Sequence, residues 1–128
     1  MAVLDVKHEE TASLLEELPG EGHLCVTGNA GVEEDVRSFA EKVLECFGCV
    51  DVLVNNACIT RRGILSGCSF EEFNEVLRVG VSAPYLLSLL FRDHFSRGAS
   101  IVNIASTRAS MSRKDTESYS AAKGAITS

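Results

Sequence analysis

At 128 residues with 45% hydrophobic residues, the chain is long enough for one domain with a core of its own and too short for two. A formal net charge of −6 argues against a nucleic-acid surface, because neutralising phosphates needs a basic face that this sequence does not show, and no nucleic-acid partner is expected. No apolar run reaches the ~18 residues that span a bilayer, and MAVLDVKHEE turns acidic where a signal peptide keeps its apolar stretch, so a cytoplasmic protein without membrane contact is expected.

Short β-rich runs alternate with helical patterns, which predicts an α/β fold with a parallel sheet and crossover helices. The first strand is Ala2 to Val6, followed by a helix from about His8 to Leu18 that Pro19-Gly20 ends. A second strand, His23 to Thr27, leads to an amphipathic helix through Val32, Val36, Phe39, Ala40, Val43, Leu44 and Phe47, capped by Gly48. Strand three, Val50 to Asn55, is apolar on both faces apart from Asp51, so a central strand covered on each side is expected.

Ser69 with Glu72 three residues on makes a capping box that opens a long helix to about His94, with a kink at Pro84. Leu86, Leu87, Leu89, Leu90 and Phe91 nearly encircle that helix, which predicts burial on more than one side. The fourth strand is Ser100 to Ala105, and a last helix begins near Ser118.

Five cysteines without even spacing fit a reducing compartment. Cys46-Phe47-Gly48-Cys49 matches C-x-x-C, yet it closes a helix, where a redox pair would open one. His8, His23 and His94 share no ligand spacing with the cysteines, so no metal site is expected. Arg61, Arg62, Arg108, Arg113 and Lys114 fall in the two loops flanking the strand ends, where they could steer an anionic substrate but read better as solvated charges.

An alternating strand and helix order places a nucleotide site at the carboxyl ends of the strands. Asp5 stands at such an end, where a carboxylate can accept from both hydroxyls of an adenine ribose and repel a 2′-phosphate; taken alone it reads as a solvated aspartate. Tyr119-Ser120-Ala121-Ala122-Lys123 is more informative, because a four-residue helical step puts phenol and ammonium on one face. A neighbouring cation stabilises tyrosinate, which makes Tyr119 a candidate general acid/base.

The runs Val52-Leu53-Val54-Asn55-Asn56-Ala57, Ile101-Val102-Asn103-Ile104-Ala105-Ser106 and Tyr119-Ser120-Ala121-Ala122-Lys123-Gly124-Ala125 resemble three successive signatures of the short-chain dehydrogenase/reductase family, in order and at family spacing. The resemblance covers the whole chain and implies a Rossmann-like doubly wound parallel sheet, with residues 1–128 as a single partial dinucleotide-binding domain. It implies an oxidoreductase that interconverts a secondary alcohol and a ketone by hydride transfer with a nicotinamide cofactor. On that likeness Tyr119 would pass the proton, Ser106 would hydrogen-bond the substrate oxygen, and Lys123 would hold the nicotinamide ribose while assisting Tyr119. Asp5 resembles the acidic residue that marks NAD over NADP, Asn29 sits at the adenine side, and Asn55, Asn56 and Ala57 would run beside the cofactor. A homodimer or homotetramer is implied as well.

Three departures from the family pattern stand out. Cys58 replaces a glycine after Asn-Asn-Ala, and Gly80 falls at the family's catalytic asparagine. The family's first strand and its glycine-rich pyrophosphate turn should precede Met1, and its later strands should follow Ser128, so the sheet is expected to be incomplete. Thr27-Gly28-Asn29-Ala30-Gly31 imitates the phosphate turn but comes one strand late, and is assigned to the adenine side. Two other readings stay open: a non-catalytic remnant kept for subunit association, and an incomplete reading of a longer gene.

Overall fold

The computed structural model describes residues 1–128. Strand β1 (Ala2–Asp5) leads to helix α1 (His8–Glu17), β2 (Leu24–Thr27), α2 (Glu33–Phe47) and β3 (Val50–Asn55). After a short 3-10 turn at Ile64–Ser66 come α3 (Phe70–Leu77), a π-turn at Arg78–Ser82, α4 (Ala83–Phe91), β4 (Phe95–Asn103) and α5 (Glu117–Thr127). Strands β1 and β2 pair in parallel, as do β3 and β4. This is the expected α/β Rossmann-type arrangement with an incomplete sheet, since the two pairs do not join.

Helix α2 shows how the sequence builds the core. Val36, Phe39, Ala40 and Val43 recur on one face and are all buried. Its first turn carries Glu33, Glu34 and Asp35 against the positive end of the helix dipole. Gly48 ends it in the left-handed region at φ 73°, its N–H bonding the Leu44 carbonyl, a conformation in which a Cβ would be strained. The α2 face meets Val26, Val50, Leu53 and Phe91, and the Phe91 and Phe95 rings pack edge to face at 6.4 Å.

Between the free edges of β1 and β3 lies an apolar cleft of about 770 Å³, with Ala2, Val3 and Leu4 on one wall and Val50 to Asn55 on the other. The cleft corrects the expectation for strand three. Leu53 is buried, but Val52 and Val54 are 57% and 54% exposed, because one face and one edge of β3 have no covering element. The strand thus combines the apolar composition of an interior strand with an open edge.

Two further expectations shift. Strand β4 begins at Phe95, five residues early, since Phe95 pairs with Val50 and a bulge absorbs the residues before Ser100 pairs with Val52. The long helix is broken as expected, but by a π-turn at Arg78–Ser82 immediately ahead of Pro84. Pro84 has no N–H to give the Gly80 carbonyl, so the wider turn relieves the conflict that a proline makes with an α-helix. In α4 Phe91 is buried, while Tyr85 and Leu89 are 72% and 47% exposed, so one side of this apolar helix faces outward. No helix is long and apolar enough to cross a membrane.

The capping box at α3 is fully formed. Glu72 N–H donates to Ser69 Oγ at 3.1 Å, and Ser69 N–H donates to Glu72 Oε2 at 2.8 Å. The backbone bond from Ser69 leads the causes that hold the Glu72 carboxyl below its ordinary value of 4.5. A lowered folded value means that Glu72 contributes stability above its unfolded pKa and loses it as pH falls through the folded one. The Glu72→Gln variant should therefore have a flatter acid limb of Tm against pH as pH falls below the ordinary carboxyl value of 4.5. Parallel limbs for the two proteins would show that Glu72 is not what titrates there.

Candidate active site

The carboxyl ends of all four strands carry polar residues, and the order β1, β2, β3, β4 along the chain delivers the predicted site residues to that edge. Asp5 ends β1 and is exposed; its Oδ1 accepts from Lys7 N–H at 2.9 Å, a local turn that leaves the other oxygen free. Asn29 follows β2, and its Oδ1 accepts from Gly31 N–H at 2.8 Å while its own N–H donates to Asp35 Oδ2 at 2.7 Å. Three N–H groups of the Thr27 to Gly31 turn, those of Gly28, Asn29 and Gly31, are thus already occupied. With three carboxylates in the first turn of α2, this segment is unsuited to a phosphate.

At the end of β3, Asn55 Nδ2 donates to Asn103 Oδ1 at 2.8 Å, and the two residues face each other in the β3–β4 register. Asn55 Oδ1 is buried without a hydrogen-bond partner, and a buried acceptor in that state calls for a donor. Asn56 and Ala57 continue past it along the cleft mouth, and the Cys58 thiol is exposed. Asn103 is a neighbour of the candidate site that sequence reasoning misses; its signal is an asparagine near the end of each of two apolar strands.

Lys123 and Tyr119 are brought together by α5. Lys123 is 4% exposed, its ammonium lies 5.8 Å from the centroid of the half-buried Tyr119 ring, and its Nζ donates to the Ile104 carbonyl. A buried ammonium needs acceptors, and a carbonyl from the chain just past β4 supplies one of them. Ser106 lies two residues beyond Ile104, half-buried, with its Oγ accepting from Arg108 N–H at 3.2 Å. The lysine therefore ties α5 to the segment that carries the serine.

Behind this group, Gly80 is buried inside the π-turn, and a Cβ there would sit 3.1 Å from the Ala122 Cβ. Absence of a side chain lets α5 approach closely at the level of Lys123. The family model described as short chain dehydrogenase matches residues 1–128, the whole chain. The chain belongs to the short-chain dehydrogenase family.

Among its relatives, an uncharacterised oxidoreductase of Thermotoga maritima is 38% identical over 92% of this chain and 48% of its own length. An apo SCOR enzyme from Clostridium thermocellum superposes with a TM-score of 0.89 at 40% identity, over 98% of this chain and 51% of that one. A short chain dehydrogenase from Burkholderia cenocepacia in complex with NADP gives 0.85 at 28% identity, over 98% and 53%. The chain spans about half the length of the relatives it matches.

Proposed function

We propose that residues 1–128 form the catalytic edge of a nicotinamide-dependent oxidoreductase that interconverts a secondary alcohol and a ketone. The observation that carries this reading is the buried Lys123, held between the Tyr119 ring and the Ile104 carbonyl two residues from Ser106. Structural lysines are rarely buried without an ionic partner, and this one has none among the ion pairs.

The residues present fit a dinucleotide at its two ends. A free Asp5 oxygen suits the hydroxyls of an adenine ribose, and the orphaned Asn55 Oδ1 offers a buried acceptor near the nicotinamide end. When bound, the nicotinamide supplies or takes the hydride. Tyr119 gives its phenolic proton to the ketone oxygen in reduction and takes it back in oxidation, and the Ser106 hydroxyl hydrogen-bonds that oxygen so that the carbonyl is held and polarised. Lys123 places its Nζ beside the Tyr119 ring, with donors left for a ribose. Asp5 favours NAD over NADP, since its charge opposes a 2′-phosphate; the NADP bound by the Burkholderia cenocepacia relative makes this the sharper part of the reading. Homodimers or homotetramers are the proposed assembly, with the outward Tyr85 and Leu89 of α4 as an apolar surface for it.

The test is a graft in which residues 1–128 replace the matching segment of the full-length Clostridium thermocellum enzyme. We expect reduction of a ketone by NADH and tighter calorimetric binding of NAD(H) than of NADP(H). A folded graft that turns over nothing in a panel of secondary alcohols and ketones sinks the proposed activity, and tighter NADP(H) binding sinks the role of Asp5.

A further inference from the structure

Two loops leave the candidate site edge: one runs from Asn56 to Ser69 after β3, the other from Ile104 to Thr116 after β4. They meet at Gly63, which is buried although Arg62 and Ile64 on either side of it are exposed. A Cβ on Gly63 would lie 2.5 Å from Asp115 Oδ1 and from Glu117 Oε2, and closer still to the Asp115 Cα. The approach is of backbone to backbone, so no side-chain rotation could make room, and only glycine fits. Across the same contact Ser66 Oγ donates to Asp115 Oδ1 at 2.7 Å, joining residues 49 apart in sequence.

Asp115 is the one non-glycine residue with positive φ, at 60°. Aspartate tolerates that region better than most residues because its short polar side chain bonds locally, and here it is held from outside by Ser66. Its conformation sets the direction in which the chain enters α5. Thr116 bonds back to the Arg113 carbonyl, Glu117 opens α5, and Tyr119 is four residues from Asp115.

The first loop is a firm base for this contact. The Gly63 carbonyl accepts from both Ser66 N–H at 3.0 Å and Cys68 N–H at 3.1 Å. Arg61 pairs with Glu75 of α3 at 2.7 Å, and the Ser69 capping box ties the far end of the loop to the same helix. A rigid loop thus receives Asp115 at one point.

We propose that Gly63, Ser66 and Asp115 form a clasp between the two loops, and that the clasp sets the entry of α5 and so positions Tyr119 against Ser106. All three are positioning residues. They leave the Lys123 to Ile104 bond to fix the other side of the same helical face. The inference rests on the proposed roles of Tyr119 and Ser106, so its test has one readout that needs no activity.

In residues 1–128, hydrogen exchange of the amides from Ser120 to Lys123 should quicken about tenfold in Ser66→Ala and Asp115→Ala, while Asp115→Asn, which keeps an acceptor and tolerates positive φ, should match the parent. In the full-length graft, Ser66→Ala and Asp115→Ala should lower kcat about tenfold at unchanged KM for the cofactor, with Asp115→Asn within about twofold. Gly63→Ala should produce the largest change of each kind, and Ser66→Ala keeps the test open if that variant does not fold. Unchanged exchange in both alanine variants overturns the clasp. Faster exchange with an unchanged kcat overturns its positioning role, whereas a parent graft with no turnover counts against the proposed function and leaves the exchange result to judge the clasp.

Discussion

Replacing Tyr119 by phenylalanine in the full-length graft is expected to lower kcat about a thousandfold while leaving cofactor affinity within about twofold. The substitution removes one oxygen and its proton and keeps the ring, which is what Lys123 packs against at 5.8 Å. Helix α5 should hold its place, because its buried anchors are Ser118, Ala122 and Lys123 and not the phenol. Cofactor binding should survive for the same reason, as the groups proposed to meet it, Asp5, Asn55 and Lys123, are untouched. The loss should appear in kcat and kcat/KM together, the signature of an interaction made only in the transition state. Turnover like that of the parent would remove Tyr119 from the chemistry.

A polypeptide of residues 1–128 alone is expected to turn over no ketone measurably with NADH and to bind NADH with Kd of about 1 mM or weaker, about 4 kcal/mol of binding free energy at most. The reason lies in its helix N-termini. A pyrophosphate is best received by free backbone N–H groups at the positive end of a helix. Here α1, α2 and α3 all begin with carboxylates: Glu9 and Glu10, then Glu33, Glu34 and Asp35, then Glu71 and Glu72. The glycine-containing turn in front of α2, Thr27 to Gly31, already commits the Asn29 and Gly31 N–H groups to Asp35 and to the Asn29 side chain. The cleft compounds the loss, because about 770 Å³ of mostly apolar space separates Asp5 on β1 from Asn55 on β3. The unpaired edges of β1 and β3 are also templates for self-association, so light scattering should rise with concentration. Turnover of a ketone by the monodisperse polypeptide, with mass spectrometry proving residues 1–128 alone, would overturn this expectation and require another place for the pyrophosphate.

The sequence by itself determined the elements whose cause is local. The α2 face, its Gly48 cap and the Ser69–Glu72 box depend on spacing within one helix, and each appears where the pattern puts it. The Tyr119 to Lys123 step was legible for the same reason: four residues on a helix are neighbours whatever surrounds them. The family, too, could be read from three short runs at strand ends and on one helix. What only the tertiary structure decided depends on partners far away in the chain. Val52 and Val54 have the composition of a buried strand, and only the arrangement of sheets shows that one side of β3 is open. Asn103 needed the β3–β4 register to be matched with Asn55, 48 residues earlier. Gly63 and Asp115 look like ordinary loop residues until two backbones, more than fifty positions apart, are seen to touch. Local rules follow from the geometry of a single element, whereas a contact between loops is set by how the strands that carry them pair, and no short-range pattern encodes that distance.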